Sequence, residues 1–481
     1  MRNKKKVIIC ALGDYYWANY AEKMSIALID NGYQPVIVSE SRLGEYQNGF
    51  SRAEYKNCQV YYLSDFSEQY TSYGNVSFDK KVVFSDFIRL RTLGGAKLVG
   101  AKRWDEIGEL VTAFVDFVFD EEQEIYAVLH EAVSTSLSYA FYSKCTKQNV
   151  PYMGFLTSKF PDRFEHDLPF DTGAELIRKE YNRLLSDPLS VDKSEYQWAD
   201  EYINNIVNFI PDYMKKNVLN SSSFLSVLNI KNLKAFIGSL LYSIVERSDK
   251  SHQILREGAV LAKFRSFSRN LLRRLRMKSA LYNFDSIDND WMGRSIFYVF
   301  PIHYQPEGST SVGSPFFEDQ LMLIRNIAFS LDKDEYLVVK EHVSNYGYFA
   351  ATIYEEIKSL PGVKLIGPEH NIKNIVMKSK GVITLTSTVG FEAVLLEKPV
   401  IVFGDVFYNK HPLCRKINSV FEIGDAFSEI EKVIRSGEVD NRLYLLAYKS
   451  FTSSGRVIYG ADCLNMSAST LNYLKDLPCD T

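Results

Sequence analysis

Residues 381–404, GVITLTSTVGFEAVLLEKPVIVFG, constrain the fold more than any other stretch. Residues 382–385 read as a short buried strand, and residues 390–397 as a helix. Residues 400–403 read as a second buried strand, opened by Lys398 and Pro399. Three hydroxyls in a row, Thr386, Ser387 and Thr388, stand between the first strand and the helix. Strand, turn, helix and strand make a βαβ unit, which requires a parallel sheet. A Ser or Thr at a helix N-cap satisfies orphan N–H groups. The same N–H groups, with the positive end of the helix dipole, bind anions such as phosphate. The hydroxyls thus admit two readings, a cap alone or a cap that also meets an anion.

The same alternation runs through the last third of the chain. Residues 296–302, 336–339 and 363–366 read as strands, with helices over 317–329, 347–359 and 372–377. Four strand ends carry polar clusters: residues 303–310, Lys340 to His342, Pro368 to His370, and Thr386 to Thr388. All lie on one edge of a parallel sheet, where ligands of doubly wound folds bind. Cations and hydroxyls gathered there suit a phosphate, and the turn at Pro368 offers backbone groups to a base.

The first third starts in the same way. Residues 6–12 read as a strand, 20–31 as a helix ended by Gly32, and 35–39 as a second strand. No GxGxxG motif follows the first strand, so no dinucleotide site is expected. Asp14 lies in the loop after that strand. His130 and Glu131 follow a short strand at 127–129 and precede a helix at 134–146. A carboxylate at either place can act as a general base. The residues equally allow a turn acid at Asp14 and a helix-start carboxylate at Glu131.

Length bounds the rest. A chain of 481 residues has room for two or three domains. Its net charge of −3 gives no signature of a polyanion partner, and no nucleic acid is expected. The 31 Tyr and 31 Phe suit sugar- or lipid-facing surfaces and aromatic cores alike. Cys10, Cys58, Cys145, Cys414, Cys463 and Cys479 are scattered without a CxxC or Cys/His cluster, which reads as reduced thiols. No apolar run reaches bilayer length, and the basic start lacks a full signal-peptide core. A cytoplasmic protein with at most peripheral membrane contact is expected.

Residues 161–292 break the alternation and read as mainly helical. Within them Arg256, Lys263, Arg265, Arg269, Arg273, Arg274, Arg276 and Lys278 interleave with Leu261, Phe264, Phe267, Leu271, Leu272, Leu275 and Met277. Such a segment is either a solvated helix face packed on its domain or a surface for anionic lipid or a phosphate-bearing acceptor.

Three blocks, FPIHYQPEGST at 300–310, VVKEHVSNYG at 338–347 and ITLTSTVGFEAVLLEKPVIVFG at 383–404, resemble the capsule polysaccharide biosynthesis family of bacterial glycosyltransferases. That family includes the Kdo transferases of capsule export. The resemblance is specific over 295–410. It implies an α/β chain of the GT-B class, two Rossmann-like doubly wound domains with a helical insertion. The expected boundaries are an acceptor domain at 1–160, a helical connection at 161–292, a nucleotide-sugar domain at 293–450, and a C-terminal helix at 451–481 packing back toward the first domain. GT-B enzymes that use CMP-sugars carry a His-Pro motif and a Ser/Thr pair at the phosphate. Lys340, Glu341 and His342 match the first place, with Val343 where the proline is expected, and Ser387 and Thr388 match the second. Glu392 matches the family's glutamate, as a ribose contact or a structural residue.

The expected activity is transfer of a sugar from a nucleotide donor, CMP-linked and Kdo-like, to a capsular or other surface polysaccharide. The acceptor would be an oligosaccharide or a lipid-linked glycan. Asp14 or Glu131 would be the catalytic base. His303, Gln305, Glu307, Lys340, His342, Pro368, Ser387, Thr388 and Glu392 would bind the nucleotide and its phosphate. No metal and no separate cofactor is expected. The alternatives are a nucleotide-sugar epimerase on the same two-domain plan and a non-catalytic capsule assembly protein.

Overall fold

The computed structural model describes residues 4–12, 15–42, 46–47, 51–70, 76–92, 101–166, 168–169, 172–209, 237–238, 241, 268–277, 284–455 and 463–476. Two compact units divide the chain. The first takes in the described parts of 1–167, 223–268 and 452–481, the second those of 168–222 and 269–451.

In the first unit, Lys6–Cys10 (β1), Gln34–Ser39 (β2), Gln59–Tyr62 (β5), Ile125–Glu131 (β6) and Tyr152–Thr157 (β7) form parallel pairs. The strands Tyr46–Gln47 (β3) and Ser51–Arg52 (β4) form a small separate antiparallel pair. Arg163–Glu165 (β8) adds antiparallel to β7, and Thr452–Ser454 (β15) antiparallel to β8. The order is β15-β8-β7-β6-β1-β2-β5. Successive strand residues face opposite sides, so a sheet covered on both faces needs apolar residues at every position. The sequence VIIC supplies them. Ile8 and Cys10 pack into one core with helices Ala101–Glu122 and Ser136–Gln148. Val7 and Ile9 pack into the other, with helix Tyr15–Asp30 and with Leu471 and Leu474 of helix Cys463–Asp476.

The second unit contains six parallel strands: Ile296–Pro301 (β9), Glu335–Lys340 (β10), Val363–Ile366 (β11), Gly381–Thr384 (β12), Val400–Val402 (β13) and Cys414–Lys416 (β14). Their order is β11-β10-β9-β12-β13-β14. The chain builds outward from β9 to β11, then returns to β12 on the other side of β9, so the topological switch point lies between β9 and β12. One sheet face buries Tyr298, Phe300, Leu337, Val339, Leu365, Ile383 and Ile401. Two Rossmann-like doubly wound units in one chain are the GT-B class expected from the resemblance.

Element edges differ from the sequence reading by a few residues. Helix Gln320–Ser330 starts three residues late because Asp319 is its cap, accepting the Met322 N–H. Helix Ala351–Ser359 starts four residues late, after Gly347 has adopted φ +84°. His130 and Glu131 are the last residues of β6, not a loop after it. Helix Ser136–Gln148 is capped by Thr135 with Ser138 in a capping box, so Glu131 is not the cap.

In the basic segment, residues 268–277 are helical. Arg256, Lys263, Arg265 and Lys278 lie outside the described residues. Arg273 donates from Nε to the Tyr346 carbonyl at 2.8 Å and from a terminal nitrogen to the Val343 carbonyl at 3.3 Å. Arg276 donates to the Tyr348 carbonyl at 2.9 Å, and the Arg273 guanidinium lies 4.6 Å from the Tyr348 ring centre. This half of the segment is packed on its unit, as the first of its two readings has it. Among the described residues no helix is long and apolar enough to cross a membrane.

Candidate functional site

The carboxyl ends of β9, β10, β11 and β12 gather most of the residues expected to bind a nucleotide. At the switch point His303 joins the two middle strands. Its ring is buried, and its Nε2 accepts the Thr386 N–H at 3.1 Å. The Thr384 hydroxyl lies 3.3 Å from the same nitrogen and in turn accepts the Ser387 N–H at 3.3 Å. Gln320 clamps the His303 backbone by two bonds, accepting its N–H at 2.7 Å and donating to its carbonyl at 3.0 Å. Burial, then the neighbouring His342, pull the His303 pKa down to about 3. It is a neutral ring that holds the hydroxyl turn to β9.

The turn itself caps a helix. Ser387 precedes helix Thr388–Leu395 and its Oγ accepts the Val389 N–H at 3.2 Å. The Tyr408 hydroxyl donates to the Ser387 carbonyl. Gly390, in the first turn, has no room for a side chain, because a Cβ there would lie 2.3 Å from the Tyr408 oxygen. Capping is therefore real.

At the end of β10, Lys340 is 8% exposed, and its ammonium donates to the carbonyls of Glu341 at 3.2 Å and Pro368 at 3.4 Å. Burial pulls its pKa down to about 8, against the opposing pull of the Glu341 and Glu369 carboxylates. Pro368 thus acts through its carbonyl, on Lys340. Glu341 is fully buried and organises the following turn. It accepts the His342 N–H at 2.7 Å, the Asn345 amide at 3.2 Å and the Tyr354 hydroxyl. Burial pushes its pKa up, and those hydrogen bonds oppose the push. His342 is half-buried on this turn, its Nδ1 accepting the Ser344 N–H at 3.1 Å. Burial and then Lys340 pull its pKa down to about 4.

Three expected residues have local jobs. The Gln305 amide donates to the Glu318 carbonyl at 2.6 Å. Glu307 is exposed at the head of helix Gly308–Ser311, where its carbonyl accepts the hydroxyls of Thr310 and Ser311. Glu392 pairs with Lys373 at 3.0 Å, and Lys373 also donates to the carbonyls of Ile206 and Phe209. Gln320, Tyr354 and Tyr408 lie outside the three sequence blocks, and Thr384 and Asn345 lie inside them without being expected as site residues, yet all five hold the site.

In the first unit, Glu131 receives the Trp17 indole N–H at 3.0 Å on one carboxylate oxygen and the Ser134 hydroxyl at 2.6 Å on the other. His130 beside it is fully buried, with Nδ1 2.8 Å from the Cys10 carbonyl at the end of β1. Since a carbonyl only accepts, Nδ1 carries the proton. Burial lowers the His130 pKa. Asp14 lies outside the described residues. Among the described residues, no group of three or more His, Cys, Asp or Glu is placed to hold a metal ion.

Residues 249–419 match the model of the family described as "Capsule polysaccharide biosynthesis protein". The match takes in all three sequence blocks and the basic segment from Arg256 onward, so the resemblance is borne out over that stretch. Among solved structures, the chain is similar to the beta Kdo 2,7 transferase KpsC of Thermosulfurimonas dismutans, at 14% identity over 75% of this chain and 89% of that one, TM-score 0.36. It is similar to the KpsC beta Kdo 2,4 transferase of the same organism, at 14% identity over 73% and 88%, TM-score 0.37. It is also similar to S. aureus MnaA in its co-structure with UDP, at 12% identity over 99% and 100%, TM-score 0.26. No curated protein matches the chain.

Proposed function

We propose that the protein is a capsule-type glycosyltransferase that moves a Kdo-like sugar from a CMP-linked donor to a growing surface polysaccharide. The observation that carries this reading is the convergence of His342, Lys340, Ser387 and Thr388 on one sheet edge at the switch point, inside the stretch that matches the capsule family. Doubly wound sheets bind nucleotides at such an edge. Sugar transfer needs charge stabilisation on the departing phosphate and a base for the acceptor hydroxyl. The first falls to Lys340, His342 and the head of helix Thr388–Leu395. The second falls to Glu131, whose carboxylate is already oriented by Trp17 and Ser134, or to Asp14.

A thermal-shift panel of CMP, CDP, UDP and GDP tests the donor, because only a ligand of the native state raises the melting temperature by mass action. CMP alone should do so at millimolar concentration. With the assay in hand, Glu131→Gln should lower turnover by on the order of 10²-fold with donor affinity nearly unchanged. Turnover of the free nucleotide sugar to its epimer without any acceptor would point to an epimerase instead.

The proposal includes peripheral contact with a membrane that carries the acceptor, through the basic segment Arg256 to Lys278. Arg273 and Arg276 are already committed to carbonyls, so the remaining basic residues must supply the attraction. Co-sedimentation with anionic vesicles should weaken as salt shortens the ~10 Å screening length at 0.1 M. Equal pelleting with neutral vesicles rules the contact out.

A further inference from the structure

Three histidines of the second unit each accept a main-chain N–H, and comparing them shows what His342 is for. His411 accepts the Leu413 N–H on Nδ1 at 3.0 Å, and its Nε2 lies 3.0 Å from the Asn441 side-chain oxygen. It is buried and satisfied on both sides. His342 repeats the first half of that arrangement, with the N–H two residues on bonded to Nδ1. It lacks the second half. Its Nε2 meets no hydrogen-bonding group among the described residues, and the ring is half-buried instead of enclosed.

A ring nitrogen that accepts an N–H holds a lone pair and no proton. The Ser344 N–H therefore fixes His342 as the neutral tautomer with the proton on Nε2. Protonating Nδ1 would set two N–H groups against each other. The surroundings agree. Lys340 lies on the same strand end, and His303 contributes a second ring from the end of β9. The Glu341 carboxylate faces the His342 main-chain N–H, and Glu369, 3.4 Å from His370, acts on Lys340 from the turn after β11. From helix 268–277 Arg273 reaches the Val343 carbonyl, next to His342, at 3.3 Å, and the residues that follow β12, Thr386, Ser387 and Thr388, are uncharged.

We propose that His342 meets the donor's phosphate as a neutral imidazole through Nε2–H, so that the site recognises a singly charged phosphodiester by hydrogen bonding, with the buried Lys340 ammonium supplying the positive charge. This rests on the phosphate-site reading above. It has a consequence for turnover. The donor carries one charge on its phosphate, and the released nucleotide gains a second as its phosphate ionises near pH 6. Two imidazolium rings would hold that product more tightly than the donor. A neutral donor group gives the product little advantage, so it leaves.

The test uses the full-length protein and the methyl ester of CMP, whose single charge does not change between pH 5 and 8. Calorimetric affinity should stay within about threefold from pH 5 to 7, whereas an imidazole charged in the complex would tighten binding by roughly tenfold or more as pH falls past 6.5. The ¹⁵N spectrum of His342, assigned with His342→Asn, should show one protonated and one bare nitrogen down to pH 5. His342→Gln, which can place an amide N–H where Nε2–H stood, should keep most of the affinity. His342→Asn, which is too short, should lose about tenfold. A tenfold rise in affinity at low pH, or two protonated ring nitrogens at pH 6, overturns the neutral donor while leaving the phosphate site intact. Unchanged binding in His342→Asn, or no nucleotide binding at any pH, overturns the phosphate site itself.

Discussion

Lys340 shows at the scale of one residue how burial tunes a charge. Its ammonium is held by two carbonyls and lies near two carboxylates, yet burial still dominates and brings its pKa down to about 8. The cation is therefore lost close to physiological pH. Affinity for a phosphodiester nucleotide should be level up to about pH 7.5 and fall as pH rises through 8. In Lys340→Met it should be weaker and level throughout. A fall of equal steepness in Lys340→Met would assign the titration to another group. The stability effect has the opposite sense. The native pKa lies below the unfolded 10.5, so burial of the charged form costs stability at low pH, and that cost disappears as pH rises from 8 to 10.5.

Among the elements, the turn after β10 and helix 268–277 form one packed piece. Gly347 makes that packing possible. It sits at φ +84°, and a Cβ there would lie 2.6 Å from both the Arg273 carbonyl oxygen and the Met277 Cγ. Gly347→Ala should cost about 2–3 kcal/mol from backbone strain alone, with more from the clash. Arg273→Gln should cost about 1–2 kcal/mol by losing two carbonyl bonds and a ring contact. Both are read from denaturant melts, and a change below 0.5 kcal/mol in either would show that the helix does not depend on the turn. The sequence announced this element only in part. Alternating charge and apolar residues revealed an amphipathic helix, but its partner, Tyr346 to Tyr348, is some 70 residues away in sequence, and periodicity carries no information about partners. The same limit explains the site. His342 and Ser387 were legible because each follows a strand within a local pattern. Gln320 was not, because its role is defined by His303 and nothing in its own neighbourhood marks it, and Thr384, two residues before the hydroxyl turn, read only as part of a buried strand. Thr386 was visible as a hydroxyl, whereas its main-chain N–H is the group that does the work.

Across the whole molecule, histidines kept neutral by burial set the acid limit. His303 and His411 are pulled down to about 3, His342 and His166 to about 4, and His130 is lowered as well. Their unfolded pKa is 6.5. Below it the unfolded chain binds protons that the native chain refuses, so stability falls as pH falls, by about 1.4 kcal/mol per pH unit for each such group. Chemical denaturation between pH 6 and 5 should show a steep loss, and His411→Gln should reduce its slope by about one proton. An unchanged slope would show that His411 is charged in the native state.

One feature of the first unit bears on how the chain is made. Leu471 and Leu474 join the apolar cluster that Val7 and Ile9 form with helix Tyr15–Asp30, and β15 closes the edge of the same sheet. The second unit is complete by residue 451, before either has been synthesised. At roughly 5–20 residues per second, the ribosome reaches helix Cys463–Asp476 about 15–60 s after it has finished β8. During that interval helix Tyr15–Asp30, already packed on Val7 and Ile9, lacks the helix that later lies against it. The cluster begun at β1 is thus finished only by helix Cys463–Asp476, and a chaperone acting on the nascent protein would find its client on the outer face of helix Tyr15–Asp30.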